Sequence, residues 1–243
     1  MGMIFAGPCL INNKTELDAA IDIAHAVKSF ATHFRAKLWG GGTSIARWYP
    51  GIGIDGFETL NFINEFLPTG TEVQTPTHIG ICTKLDYLWI GCRNIQNYEL
   101  LQHFPTPNKK KILFKRHPGM TLEELINYYD IVKWLCTPNS YIVERGIINI
   151  DRDEKSRWSI NLNSILKIKN DYPELFENLI VDCSHAAGDK RYIADIYHAM
   201  KSIGVKHFMF ECTLDGKSQT DNNQMLSVDE LEKIINEVKN DNA

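Results

Sequence analysis

Short apolar runs alternate with amphipathic stretches along the whole chain, and this alternation restricts the possible folds more than any other feature. Several runs are uninterrupted, as in Leu179-Ile180-Val181, which is typical of strands buried on both faces of a parallel sheet. Eight such runs are predicted strands. They are Met3–Cys9, Ala36–Gly42, Gly70–Gln74, Tyr87–Gly91, Lys111–Lys115, Ser140–Arg145, Asn178–Ser184 and Lys206–Cys212.

Segments with a helical pattern separate these runs. Thr15–Phe34 and Asp189–Ile203 carry apolar residues at helical spacing. Thr121–Leu135 and Ser227–Val238 each begin with a hydroxyl residue followed three positions later by Glu, which is the capping box that marks a helix start. Each predicted strand is thus followed by a helix or by a segment long enough to form one.

Strict alternation of strand and helix predicts a parallel sheet, and eight units in 243 residues favour a closed barrel over an open sheet. The sequence contains no Pro/Gly-rich linker, low-complexity tract or shift in composition. We therefore predict an α/β fold in which residues 1–243 form a single (β/α)8 TIM barrel without a regulatory extension.

Composition excludes several classes of protein. The net charge of −4 argues against a nucleic-acid-binding surface, which usually carries a basic stripe. No segment approaches the ~20 apolar residues that span a bilayer, and the first residues lack the basic start of a signal peptide. The six cysteines lie far apart without a Cys-x-x-Cys pair, which is typical of a reduced, cytoplasmic protein.

Polar residues collect at the carboxyl ends of the predicted strands, where the chemistry of such barrels takes place. A charge at the end of a buried strand is costly unless it is paired, coordinated or bound to a ligand. Six of the eight strand ends carry one, so a common site is predicted. The residues are Cys9, Glu72, Arg93, Lys115, Arg116, Glu144, Arg145, Asp182, Ser184, His185 and Glu211.

These residues divide into two chemical groups. Cys9, His185, Glu211 and a later carboxylate offer sulfur, nitrogen and oxygen donors, a mixture suited to Zn, Mn, Fe or Co. Three cations from consecutive strands suit a phosphate dianion, and they are Arg93, Lys115 and Arg145. Each residue alone has a simpler explanation, such as a core thiol or a pairing of Arg145 with Glu144, but their convergence on one rim favours ligand binding.

At these positions the sequence resembles a known family, the class I 3-deoxy-D-arabino-heptulosonate-7-phosphate (DAHP) synthases. This family shares its barrel with 3-deoxy-manno-octulosonate-8-phosphate synthase, and the Gly-x-Arg-Asn-x-Gln-Asn and Glu-Arg-Gly-Ile pieces resemble the heptulosonate branch. The matching segments follow the order of the family. They are Ala6-Gly7-Pro8-Cys9, Thr71-Glu72-Val73, Ile90–Asn97, Phe114-Lys115-Arg116, Val143–Ile147, Val181–Gly188 and Thr220-Asp221.

The resemblance implies a metal-dependent, aldol-type condensation of phosphoenolpyruvate with an aldose, giving a 3-deoxy-2-ulosonate and phosphate. It implies that the ligands of a divalent metal (Mn, Zn, Fe or Co) are Cys9, His185, Glu211 and Asp221. It also implies that the catalytic residues are Glu72, Lys115 and His185, and that the substrate-binding residues are Arg93, Lys115, Arg116, Arg145 and Arg47.

One segment departs from the family. After its second strand the family has an Arg and then a Lys-Pro-Arg-Thr loop that contacts both substrates. Here Trp39 stands in the predicted place of that Arg, the loop motif is missing, and Arg47 is the predicted remaining cation. The acceptor is therefore left open as erythrose 4-phosphate or a related aldose.

Two functions remain from the sequence, beside a purely structural barrel with which no metal would co-purify. The first is an active synthase whose partners are its small-molecule substrates, phosphoenolpyruvate and an aldose, with no nucleic acid and no membrane. The resemblance adds the expectation of a homo-oligomer. The second is a non-catalytic barrel that binds a phosphorylated metabolite as a sensor or partner subunit, and the altered loop is the feature that supports it.

Overall fold

Eight parallel strands close into a barrel in the computed structural model, which describes residues 2–40, 48–104, 110–151 and 158–240. Each strand pairs with the next, and β1 pairs with β8, so the sheet has no open edge. The prediction of a (β/α)8 barrel is confirmed. The strands are β1 (Ile4–Gly7), β2 (His33–Arg35), β3 (Thr69–Val73), β4 (Tyr87–Ile90), β5 (Lys111–Lys115), β6 (Ser140–Glu144), β7 (Leu179–Asp182) and β8 (His207–Thr213).

Helices cover the outside of the barrel and connect its strands. Two of them begin with the predicted capping residues: Thr121 accepts from the Glu124 backbone N–H, and Ser227 accepts from that of Glu230. The helices are α1 (Lys14–Val27), α2 (Phe57–Asn64), α3 (Pro76–Ile81), α4 (Tyr98–Gln102), α5 (Leu122–Leu135), α6 (Leu162–Asp171), α7 (Pro173–Glu177), α8 (Cys183–Ala187), α9 (Ile193–Ile203) and α10 (Val228–Asn240).

Two short strand pairs lie outside this regular pattern. Ile147–Ile148 and Trp158–Ser159 form an antiparallel pair after β6. Leu226–Ser227 pairs with the end of β8, just before α10. Within the described ranges, no helix combines the length and the apolar character needed to cross a membrane.

The predicted position of the second strand is wrong. The strand is His33–Arg35, which overlaps the end of the segment predicted as helix, and it pairs with Phe5 and Ala6 of β1. The helical spacing of apolar residues does not stop at Val27, where α1 ends. It continues through Phe30, Ala31 and Phe34, which explains the error. The two polar residues of β2 point into the barrel, so the strand lacks the apolar run that identifies most of the other strands.

Side chains along each strand alternate between the barrel interior and the helical layer, as the pleat requires. One apolar cluster fills the interior and a separate, larger cluster lies between strands and helices. The interior cluster consists of Phe5, Tyr87, Trp89, Leu113, Val143, Ile180 and Met209. The next inward-facing side chains along β5, β7 and β8 are polar. They therefore lie above this apolar layer, at the mouth of the barrel.

Candidate active site and metal centre

A thiol and two carboxylates form a compact cluster at the mouth. Single ligand atoms of Cys9, Glu211 and Asp221 all lie within 4.8 Å of one another. The thiol of Cys9 donates to Asp221 Oδ2 at 3.6 Å. Burial, and then the negative charges of the two carboxylates, raise the pKa of this thiol well above its ordinary value. Three acidic groups this close together are a suitable set of ligands for a divalent cation.

His185 lies at the edge of this cluster. Its Nε2 is 3.9 Å from Asp221 Oδ2, and its Nδ1 is 3.8 Å from Glu211 Oε1. On the strand side of the imidazole, Asp182 Oδ2 lies 2.9 Å from His185 Nδ1. Asp182 Oδ1 also accepts from the His185 backbone N–H at 3.1 Å and so caps α8. The structure thus places three of the four predicted metal ligands in one cluster and His185 at its edge.

Both carboxylate oxygens of Glu211 have a buried donor. Arg35 NH1 lies 2.7 Å from Oε1, and Gln224 Nε2 donates to Oε2 at 2.7 Å. Arg35 also donates through NH2 to the Cys9 carbonyl at 3.1 Å. Burial would raise the pKa of Glu211, but the charges of His185 and Arg35 outweigh this effect and lower the pKa to about 2. Glu211 is therefore an oriented carboxylate.

Cations from two strands lie beside the cluster. Lys115 Nζ is 3.0 Å from Asp182 Oδ2, and this pair is buried. Arg145, also buried, donates through NH1 to Cys92 Sγ at 2.9 Å, and its guanidinium lies 5.5 Å from the Trp158 ring centroid. Arg93, which follows β4, is exposed to solvent.

Arg116 lies on the other side of the sheet from Lys115. It pairs with Glu144 at 2.6 Å and donates to the Met120 carbonyl at 2.7 Å. Glu144 precedes the inward-facing Arg145, so the alternation of the strands turns both partners of this pair towards the helices. This placement does not favour the predicted role of Arg116 in substrate binding. Arg47, the other predicted contact, lies outside the described residues.

Glu72 lies on β3, in another part of the wall of the mouth. Its Oε2 lies 3.3 Å from Lys37 Nζ and accepts from Trp89 Nε1 at 3.2 Å, while Gln74 donates to Oε1 at 3.3 Å. Burial would raise the pKa of Glu72, but Lys37 and then Lys115 lower it. A charged carboxylate thus faces the same space as the cations.

Comparisons with known proteins agree with this geometry. Residues 2–243 match the sequence model of the DAHP synthetase I family. The chain belongs to this family. The predicted family is thereby confirmed, and with it the predicted class of enzyme, a carbon–carbon bond-forming transferase of the DAHP synthase type.

Proteins from Thermotoga maritima are similar to this family member over nearly its whole length. The curated phospho-2-dehydro-3-deoxyheptonate aldolase is 25% identical over 247 residues, which cover 97% of this chain and 68% of the relative. A crystal structure of that aldolase superimposes with a TM-score of 0.84 at 22% identity, covering 98% of this chain and 68% of the other. A truncated form of 3-deoxy-D-arabino-heptulosonate 7-phosphate synthase gives 0.82 at 21% identity, covering 98% and 86%.

Several residues of this DAHP synthetase I site were missed from the sequence. Arg35 ends β2, so the prediction that Trp39 replaces the cation after the second strand is wrong. Lys37 and Gln224 were given no role, and Asp182 was noted only as a polar strand end. Ending the first helix at Val27 would have exposed Arg35 as a polar strand end, whereas nothing in the sequence distinguishes Gln224 from an ordinary loop residue.

Proposed function

We propose that this member of the DAHP synthetase I family condenses phosphoenolpyruvate with an aldose, such as erythrose 4-phosphate, to give a 3-deoxy-2-ulosonate and phosphate. The observation that supports this most strongly is the convergence of the Cys9, Glu211 and Asp221 cluster with Lys115 and Arg145 at one barrel mouth. Such barrels carry their chemistry at that mouth.

We assign the metal site to Cys9, His185, Glu211 and Asp221. Buried within 4.8 Å of two carboxylates, the Cys9 thiol resists ionisation unless a cation compensates the charge, so the site suits Mn, Zn, Fe or Co. When bound, such a metal would supply Lewis-acid polarisation of the aldehyde carbonyl. Asp182 orients His185 from behind, as supporting carboxylates do for metal-binding imidazoles.

We assign phosphate binding to Lys115, Arg145 and Arg93. Lys115 and Arg145 are both buried, so each would hold a phosphate dianion in a region of low dielectric without rearranging. Arg93, which is exposed, would close over the phosphate from the rim. Arg116 supports this wall through its pair with Glu144, and Lys37 offers a cation in the segment where the family loop motif is missing.

The same arrangement supports a role for each residue that would surround the reacting atoms. In the reaction a bond forms between C3 of phosphoenolpyruvate and the aldehyde carbon, water adds at C2, and the C2–oxygen bond to phosphate breaks. Glu72, kept charged by Lys37, would stabilise positive charge that develops at C2 and orient the water. Lys115 would neutralise the departing phosphate, and His185 would help to hold the metal, which would supply the polarisation of the aldehyde.

Incubation of manganese-loaded protein with phosphoenolpyruvate and a panel of aldoses tests the proposal. Phosphate release that depends on one aldose, together with a product of the mass of a 3-deoxy-2-ulosonate, is the expected result. The Lys115→Met variant is compared with the parent in the same assay, and it should lose this activity. Tight binding of phosphoenolpyruvate without turnover on any aldose would favour the non-catalytic barrel, and the absence of both binding and turnover would contradict the proposal.

A further inference from the structure

We infer that Gln224 is a positioning residue for the metal cluster, because its side chain orients Glu211 while its backbone holds Asp221. The inference rests on the metal site assigned in the proposed function. It concerns a residue that would not itself touch the metal or either substrate. The sequence around it, Asp221-Asn222-Asn223-Gln224, gives no indication of this role.

The side-chain contact is direct and buried. Gln224 is 2% exposed, and its Nε2 donates to Glu211 Oε2 at 2.7 Å. Arg35 holds the other oxygen, so the two donors together fix the plane of the carboxylate. Because Glu211 is fully buried, an oxygen that lost its donor would be left without water to replace it.

The backbone of the same residue holds the main chain of Asp221. The Gln224 N–H donates to the Asp221 carbonyl at 3.1 Å and closes the short turn Asn222–Gln224. Asp221 itself has a φ of 50°, a left-handed conformation that Asp adopts more readily than most non-glycine residues. The following residue, Met225, is buried against Cys9 and Leu10. The turn is thus anchored beside the cluster on both sides.

The charge of the donor matters as much as its position. Arg35 already supplies one positive charge to Glu211, and a second cation at position 224 would oppose the binding of a divalent metal. An amide donates the required hydrogen bond and leaves the negative charge of the cluster unchanged. Glutamine therefore meets both requirements, orientation without neutralisation.

Gln224→Met tests the inference because methionine keeps the volume and removes the donor. Asn223→Ala, an exposed neighbour on the same turn, is the matched control. The probe is Mn²⁺ alone, with its Kd measured by competition against a chromophoric chelator. We expect a Kd about 10- to 100-fold higher in Gln224→Met than in the parent or the control, as for other residues that support metal ligands.

Two further readouts separate positioning from general support of the fold. We expect the Tm of the metal-free variant to fall below that of the control, because a buried Glu211 oxygen loses its donor. We also expect excess Mn²⁺ to restore kcat with the KM for phosphoenolpyruvate unchanged. If Gln224→Met does not fold, Gln224→Leu replaces it.

Three outcomes would overturn the inference. Equal Mn²⁺ affinity in the parent, the control and Gln224→Met removes the positioning role and leaves the proposed function intact. A lowered Tm of the metal-free protein without weaker Mn²⁺ binding shows a structural role only. Failure of the parent and the control to bind Mn²⁺ refutes the metal site itself, and the inference with it.

Discussion

Gly91 lies against the carboxylate of Glu72, and this contact yields a sharp prediction. A Cβ added at Gly91 would stand 2.6 Å from Glu72 Oε1 and 2.8 Å from its carboxyl carbon. Ordinary van der Waals contact begins at 3.4 Å, so the carboxylate must move by about 0.8 Å to make room. Gly91→Ala is therefore expected to displace Glu72 while leaving the barrel folded.

The size of the effect follows from the contacts that would be lost. Glu72 accepts from Trp89 at 3.2 Å and pairs with Lys37 at 3.3 Å, so the displacement lengthens at least one of these contacts beyond hydrogen-bonding distance. Weakening one hydrogen bond to a charged group costs about 1.5–3 kcal/mol of stability. A misplacement approaching 1 Å at a reacting centre can lower kcat on the order of 100-fold.

Steady-state kinetics on phosphate release, with Tm measured in parallel, check this prediction. Gly80→Ala is the control, because a Cβ at Gly80 in α3 meets no atom within 4 Å. We expect the control to retain kcat and to gain roughly 0.5–1 kcal/mol of stability from the helix preference of alanine. If Gly91→Ala retained the parent kcat, the position of the Glu72 carboxylate would not matter for the reaction, and our assignment of Glu72 would be wrong.

Three further changes have defined outcomes. Lys37→Met removes the leading charge that lowers the pKa of Glu72, so the acidic limb of the kcat/KM profile should move to higher pH, and an unmoved limb would contradict this. Arg116→Met leaves Glu144 buried without its cation and should lower the unfolding free energy by about 3–5 kcal/mol, measured in urea, with the KM for phosphoenolpyruvate unchanged. A raised KM for phosphoenolpyruvate would instead support the predicted role of Arg116 in substrate binding. The folded-state pKa of Glu211 is lowered to about 2, so its stabilisation is complete above the unfolded pKa of about 4.3 and is lost as the pH falls towards 2. The Tm of the metal-free protein should drop over that range, and a constant Tm would refute it.

Most of the fold was predictable because burial on both faces of a parallel strand leaves a continuous apolar run. Six of the eight strands have such a run, as in β7, whereas β3 reads Thr-Gly-Thr-Glu-Val, and the capping boxes of α5 and α10 set clear helix starts. The second strand has no such run. His33 and Arg35 face the interior, and only Phe34 packs against the helical layer, so local pattern could not identify the strand.

The site residues that lie directly at strand ends were predictable. Those that a later turn carries back to the barrel mouth were not. Lys115 and Glu211 lie on the strands themselves, and their meeting follows from the closure of the barrel. Gln224 reaches Glu211 only through the left-handed turn at Asp221, which is a property of the folded loop. Arg116 was predicted to bind substrate because it follows a strand end, whereas the pleat turns its side chain outwards to face the helices.

The absorption spectrum of cobalt-loaded protein tests the central claim most directly, that Cys9, His185, Glu211 and Asp221 hold one metal. We predict one Co²⁺ per chain and a near-ultraviolet thiolate-to-cobalt charge-transfer band that disappears in Cys9→Ser while Tm of the metal-free protein is unchanged. Cobalt binding without that band, or a band that persists in Cys9→Ser, would show that the thiol is not a ligand and would contradict the site as assigned.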